Sequence, residues 1–192
     1  VLFYELLGFL PDGADARAGG AADSVMRAAS GPVRPGLAPH APFSTSPHLF
    51  AAIARETRAR RLRSSVHLAE SPEEIELLRT GRGPFRDLLV DLGVWDDAWV
   101  PPATGPVEYL DAMGALGEGM LAVHATQLDP TSIAALAARG SIIVTCPRSN
   151  RWTGVGDPPI DAFYASGATV ALGTDSLARA ESLDMFGGLA PR

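Results

Sequence analysis

Six short apolar runs recur along the chain, and most are followed by a stretch with helical spacing. Leu2-Phe3-Tyr4, Val33–Pro39, Ser65–Leu68, Met120–Val123, Ser141–Thr145 and Ala168–Leu172 are short and almost continuously apolar. That is the pattern of strands in a parallel sheet covered on both faces. Between them, Ala21–Ala29 predicts a helix with Asp23 and Ser24 near its start, after a loop over Pro11–Gly20. Ser46-Pro47 and Ser71-Pro72 each place an N-cap residue before a proline at the first helical position. The first opens a helix whose apolar face carries Leu49, Ile53 and Leu62; the second has Glu73 and Glu74 in its first turn, where the helix dipole favours them. Val107–Leu116, a segment from Asp129-Pro130 to Arg139 ended by Gly140, and Pro159–Ser166 complete the helices. Gly81–Pro106 reads as a long surface excursion, in which Trp95 and Trp99 either pack it down or line a lid.

Alternation of strand and helix predicts an α/β fold. No Gly-x-Gly-x-x-Gly follows the first complete strand, so a dinucleotide-binding fold has no local support. A (β/α)8 barrel takes roughly 250 residues, and this chain has 192. The expectation is therefore an incomplete (β/α)8 TIM barrel with about six of its eight strands, forming one partial domain over 1–192. The chain opens inside an apolar run, Val1-Leu2-Phe3-Tyr4, and reads as part of a longer protein.

Composition narrows the function classes. With 46% hydrophobic and 20% charged residues the chain can bury a core and is not a disordered tail. A net charge of −6 makes it a poor partner for nucleic acid. No window approaches the ~18 apolar residues of a membrane helix. The single cysteine, Cys146, rules out an internal disulfide and fits a reducing compartment, the cytoplasm. All 16 basic residues are arginine. A phosphate-binding, Schiff-base or carbamylated metal-bridging lysine is thus excluded from this segment.

The polar residues with chemistry gather at strand ends. Glu5, His40, His67, His124, Cys146 and Asp175 each lie at or just past the C-terminal end of a different predicted strand. In a parallel barrel those ends meet at one mouth, where active sites lie. Imidazoles and a carboxylate suit zinc or iron, and Glu70, three residues after His67, reaches the same place as a proton shuttle. One divalent metal accounts for His67, Glu70, His124 and Asp175 together. Singly, each has a plainer reading: a satisfied core histidine, a turn or N-cap aspartate, or, for Glu70, the start of a solvated acidic face with Glu73, Glu74 and Glu76. Their occurrence on successive strands favours the metal site. His48 reads as a surface residue of a first helical turn, and the Arg58–Arg63 cluster as a solvated helix face. Cys146 has no base beside it and is not expected to act as a nucleophile.

Ala38-Pro39-His40-Ala41-Pro42-Phe43, His67-Leu68-Ala69-Glu70, Val123-His124-Ala125, Cys146-Pro147-Arg148-Ser149-Asn150 and Gly173-Thr174-Asp175-Ser176 occur in this order. Together they resemble the amidohydrolase superfamily, in the branch of nucleoside and cytosine deaminases, S-adenosylhomocysteine deaminases and triazine chlorohydrolases. Within it the chain is most similar to the subgroup linked to 6-aminodeoxyfutalosine deamination. The resemblance runs from about Leu37 to Leu183. It implies that His67 and Asp175 are metal ligands, and that His124 contacts the metal-bound water or the metal itself. It implies Glu70, His124 and Asp175 as catalytic residues, with Glu70 passing a proton to a ring nitrogen and Asp175 taking one from the water. It implies zinc ahead of iron, and hydrolytic deamination of a purine-like or other heteroaromatic amine by a metal-bound hydroxide. His40, Arg148, Asn150 and Ser176 are placed at the substrate. For Arg148 two readings stand: a bidentate hold on a substrate carboxylate, or a salt bridge to Asp157. The implied partner is a small molecule, with neither nucleic acid nor membrane, and a homo-oligomer is compatible. The family's His-x-His pair has no counterpart here, and the flanking sandwich domain built from both termini is also missing. The alternatives are a chlorohydrolase and a non-catalytic remnant or binding module of the same fold.

Overall fold

The computed structural model describes residues 1–179 and 182–185. Six parallel strands, β1 (Leu2–Leu6), β2 (Pro35–Pro39), β3 (Arg63–Leu68), β4 (Leu121–His124), β5 (Ile142–Thr145) and β6 (Thr169–Leu172), pair in sequential order from β1 to β6. Eight helices join them: α1 (Ala14–Ala28), α2 (Pro47–Arg60), α3 (Pro72–Thr80), α4 (Pro84–Asp91), α5 (Pro106–Ala112), α6 (Pro130–Ala138), α7 (Pro147–Thr153) and α8 (Ile160–Ala165). This is the arrangement of an incomplete (β/α)8 barrel, as the strand pattern predicts.

Proline at the first turn starts α2 to α7, where its missing N–H costs no hydrogen bond. Ser46 and Asp129 cap their helices by accepting from Leu49 N at 3.2 Å and Ser132 N at 2.8 Å. Helix α1 begins where a loop is expected. Gly19-Gly20 suggests a break, but Ala18, Ala21, Ala22 and Val25 form a small-residue face buried against the sheet and α2, and this packing outweighs the glycine penalty. The Gly81–Pro106 excursion also contains a helix, α4. Its Leu89 joins Leu77, Trp95 and Trp99 around Phe9, with the Phe9 ring 5.3 Å from both indoles. The tryptophans thus pack the excursion down. Sequence reasoning also overlooks α7, which starts at the proline after Cys146.

Strand residues alternate between two environments. Val66, Leu68, Ala122 and Ile143 bury themselves with Phe50, Leu110, Ile133, Leu136 and Phe163 of the surrounding helices. Burial of each large side chain contributes about 1.5–3 kcal/mol. On the opposite face Phe3, His67, Leu121, Val123, Ile142 and Val144 are half-buried, and Glu5, Thr169 and Ala171 are exposed. Helices cover one face of the sheet, rather than both as the apolar strands suggest.

Candidate active site

His40 follows β2, His67 is the penultimate residue of β3, and His124 ends β4; Asp175 lies just past β6. All belong to the C-terminal rim. By parity His124 belongs on the helix-covered face with Ala122. The chain turns there instead: His124 has φ 73°, and Ala125 has φ 53°. Ala69 at 50° and Asp175 at 59° are also left-handed. Such backbone is unfavourable for residues with a Cβ and is concentrated where side chains must be re-aimed.

The re-aimed His124 is the hub. Its Nε2 lies 3.7 Å from Glu70 Oε2 and 4.0 Å from Asp175 Oδ2. Its ring is 5.6 Å from that of His67, which is 5.0 Å from that of His40. His67 and Asp175 are therefore both neighbours of one imidazole.

Hydrogen bonds fix the ring orientations. The carbonyl of His40 can only accept, so its 2.8 Å contact with His67 Nδ1 places the proton on that nitrogen and leaves Nε2 as a lone pair. His124 Nδ1 donates to Asn150 Oδ1 at 3.0 Å, while Asn150 Nδ2 donates to Thr126 Oγ1 at 2.9 Å. His124 Nε2 is left buried without a hydrogen-bond partner. A solvent-shielded imidazole nitrogen with no partner is costly unless it meets a ligand. This orphan, with a second free imidazole and an acidic carboxyl nearby, is a donor set that fits a divalent metal.

Electrostatics favour neutral His40 and His124 beside an ionised Asp175. Burial pushes His124 below its ordinary value, against the pull of Glu70. Burial, with His67 and Arg179 nearby disfavouring a further positive charge, pushes His40 down to about 4. Burial raises Asp175, but the Ser149 hydroxyl at 2.5 Å, the Ser176 N–H at 2.7 Å and the neighbouring His124 and Arg179 bring it below the usual carboxylate value. Glu70 is ion-paired with Arg179.

Several placements differ from expectation. Asn150 is fully buried with both ends of its amide engaged, so it sits behind His124 rather than against a substrate. Ser176 reaches the site through its backbone N–H, while its side chain forms none of the contacts just described. Arg148 does not pair with Asp157, whose partner is Arg151 at 3.1 Å; it donates to the Asp184 carbonyl at 3.2 Å. The Glu70 stretch is not a solvated acidic face, because Glu74 is completely buried and accepts from Ala69 N at 2.8 Å. His48 is exposed, and burial raises the Cys146 thiol to about 12, removing it as a nucleophile. Sequence reasoning missed Ser149, Thr126 and Arg179. Ser149 stood in a quoted motif, whereas nothing in the local pattern marks Arg179. The tightest set of three potential metal donors among the described residues is Glu5, His40 and His67, within 4.8 Å of one another; His67 and Asp175 are linked less closely, through His124.

Comparison with known proteins gives the same direction. The chain is 35% identical to the aminodeoxyfutalosine deaminase of Deinococcus radiodurans, matching all of this chain and 50% of that protein. It thus spans about half the length of that relative. A zinc-bound adenosine deaminase from Xanthomonas campestris superposes with a TM-score of 0.69 at 28% identity, over 90% of this chain and 34% of the other. The Helicobacter pylori aminofutalosine deaminase in complex with methylthio-coformycin reaches 0.84 at 20% identity, over 97% and 46%, and shares the fold. Residues 14–190 match the amidohydrolase family; with its rim of histidines and carboxylates on successive strands, the chain belongs to that family.

Proposed function

We propose that the rim around His124 is part of the active site of a metal-dependent hydrolase that removes ammonia from a purine-like heteroaromatic amine. The observation that carries this reading is the buried, unpartnered His124 Nε2 facing Glu70 and Asp175 at 3.7 and 4.0 Å. His67 and Asp175 would hold one divalent metal, zinc ahead of iron, with the remaining ligands from a His-x-His pair outside residues 1–192. When bound, such a metal acidifies water toward neutrality and supplies the nucleophile.

The chain's own residues do the rest. Asp175, kept ionised by Ser149 and the Ser176 N–H, accepts the water proton. Glu70 passes a proton to the ring nitrogen, which opens the amine-bearing carbon to the water oxygen, and the proton taken up by Asp175 goes to the amino group, which leaves as ammonia as the C–N bond breaks. His124, held by Asn150 and neutral through burial, keeps its Nε2 directed at the reacting oxygen. His40 and Arg148 are assigned to substrate. The relatives' names point to nucleosides with a 6-amino purine as the substrate class. No helix among the described residues is long and apolar enough to cross a membrane, and we place the protein in the cytoplasm because of its one unpaired cysteine.

The test is elemental analysis of the intact protein, followed by an ammonia-release assay with adenosine, 5′-methylthioadenosine, S-adenosylhomocysteine and aminodeoxyfutalosine. One equivalent of metal and release of ammonia from one of them is the expected result. A stably folded protein that carries no metal and releases none from any would favour the non-catalytic remnant.

A further inference from the structure

A second cavity, of about 510 Å3, lies between α2, the starts of β2 and β3, and the 114–120 segment leading into β4. It does not include the rim residues of the active site. It lies beside the short β2–β3 ladder, which pairs only Gly36 with Arg63 and Leu37 with Ser64. Pro39 has no N–H to continue it, and pairing returns only at His67 N to His40 O, 2.9 Å.

The cavity is amphipathic. Pro39, Phe50, Ile53 and Met120 form an apolar wall, and Arg34, Arg58, Arg61 and Arg63 surround the rest. The arginine-rich stretch around α2 is therefore not simply a solvated face. Arg55 and Arg60 are neutralised by Asp15, Asp23 and Glu56, and Arg58 donates to the Gly114 carbonyl at 2.6 Å. Arg34, Arg61 and Arg63 have no salt bridge or side-chain hydrogen bond among the described residues. The only carboxylate on the described wall is Glu118. A second, independent feature is Thr57, whose Oγ1 is shielded from solvent, lines the cavity and has no hydrogen-bond partner. Unpaired guanidiniums concentrated in a protein of net charge −6, together with an orphaned hydroxyl and an apolar wall, need an occupant with both an anionic and an apolar part. The cavity volume is in the range of small-molecule sites, and several guanidiniums favour a doubly charged phosphoryl group over a single carboxylate.

We propose that this cavity binds an organic phosphate of nucleotide size, with the phosphoryl group on Arg34, Arg61 and Arg63 and the body against Phe50 and Ile53. It is separate from the deaminase reading and would act as a regulatory or stabilising site on the far side of the sheet's rim. The probe is adenosine 5′-monophosphate, with adenosine and inorganic phosphate as controls. Methyl NMR should show shifts at Ile53 and Met120 on addition of the nucleotide, and calorimetry should show affinity falling with added salt. R34Q/R61Q/R63Q should weaken binding by roughly tenfold or more, and Thr57→Val by a smaller factor, with the unliganded melting temperature unchanged. The proposal is overturned by unchanged affinity in the triple variant, by shifts confined to Val123 and Val144 near the rim, by equal affinity for adenosine or for inorganic phosphate alone, or by no binding at about 5 mM nucleotide.

Discussion

His124 Nδ1 and Asn150 Oδ1 are joined at 3.0 Å, entirely out of solvent, with Asn150 anchored in turn on Thr126. The pair fixes which nitrogen of His124 carries the proton and leaves the other free toward Glu70 and Asp175. Asn150→Leu keeps the branched outline of the side chain but removes the acceptor. It should cut kcat by about 10–100-fold with KM little changed, as is usual when the partner of a site histidine is lost. The histidine 15N NMR signals of His124 should change from a single tautomer to a mixture. An unaltered tautomer with lost activity would assign Asn150 a different role.

Glu70 and Asp175 should separate in their effects. Glu70→Gln removes the transferable proton but leaves His67 and Asp175 in place. Metal content should be retained while turnover falls by about 10²–10⁴-fold. Asp175→Ala should lose both, because the same carboxylate is assigned to the metal and to the water proton. Normal turnover in Glu70→Gln would remove Glu70 from the proposed chemistry.

The strand ends were legible because chemistry and pattern coincide there: an apolar run that stops at a histidine or an aspartate marks both the end of a strand and the mouth of a parallel sheet. His40, His67, His124 and Asp175 lie at such ends, and Glu70 follows from its three-residue spacing after His67. Arg179 was not, because its link to Glu70 spans 109 residues and depends on how the β6 loop folds back. Asn150 was found but assigned to substrate, since no sequence pattern tells a side chain facing an opening from one supporting a neighbouring imidazole. Helix α1 was partly missed because two adjacent glycines carry a local signal for a turn, while the alanine face that holds the helix is a tertiary effect.

Phe163 of α8 is fully buried in the cluster formed with Ile133, Leu136 and Ile143. It supports the end of the sheet that presents Asp175 through β6. Phe163→Ala should destabilise the fold by about 3–5 kcal/mol, measured as a shift in the urea midpoint at constant slope. Phe163→Leu should cost much less because it leaves a smaller cavity. A loss below about 1 kcal/mol for the alanine variant would mean that α8 is not part of the cooperative unit.

Glu74 makes stability depend on pH in a direction opposite to that of an ordinary salt-bridged carboxylate. It is completely buried, and burial raises its carboxyl from 4.5 to about 8, despite the N–H groups of Ala69 and Glu70 that stabilise its charge. The folded protein thus holds a proton that the unfolded chain has already released between these values. Stability from this group is full below about 4.5, declines as pH rises and is lost once pH passes about 8. The total change is on the order of 5 kcal/mol. Glu74→Gln keeps an acceptor for the Ala69 N–H at 2.8 Å and cannot ionise. Relative to wild type, the variant should therefore gain stability from about pH 5 to about pH 8 and hold a constant advantage above it. Urea denaturation at several pH values measures it, and parallel profiles for the two proteins would show that Glu74 does not hold a proton in this range.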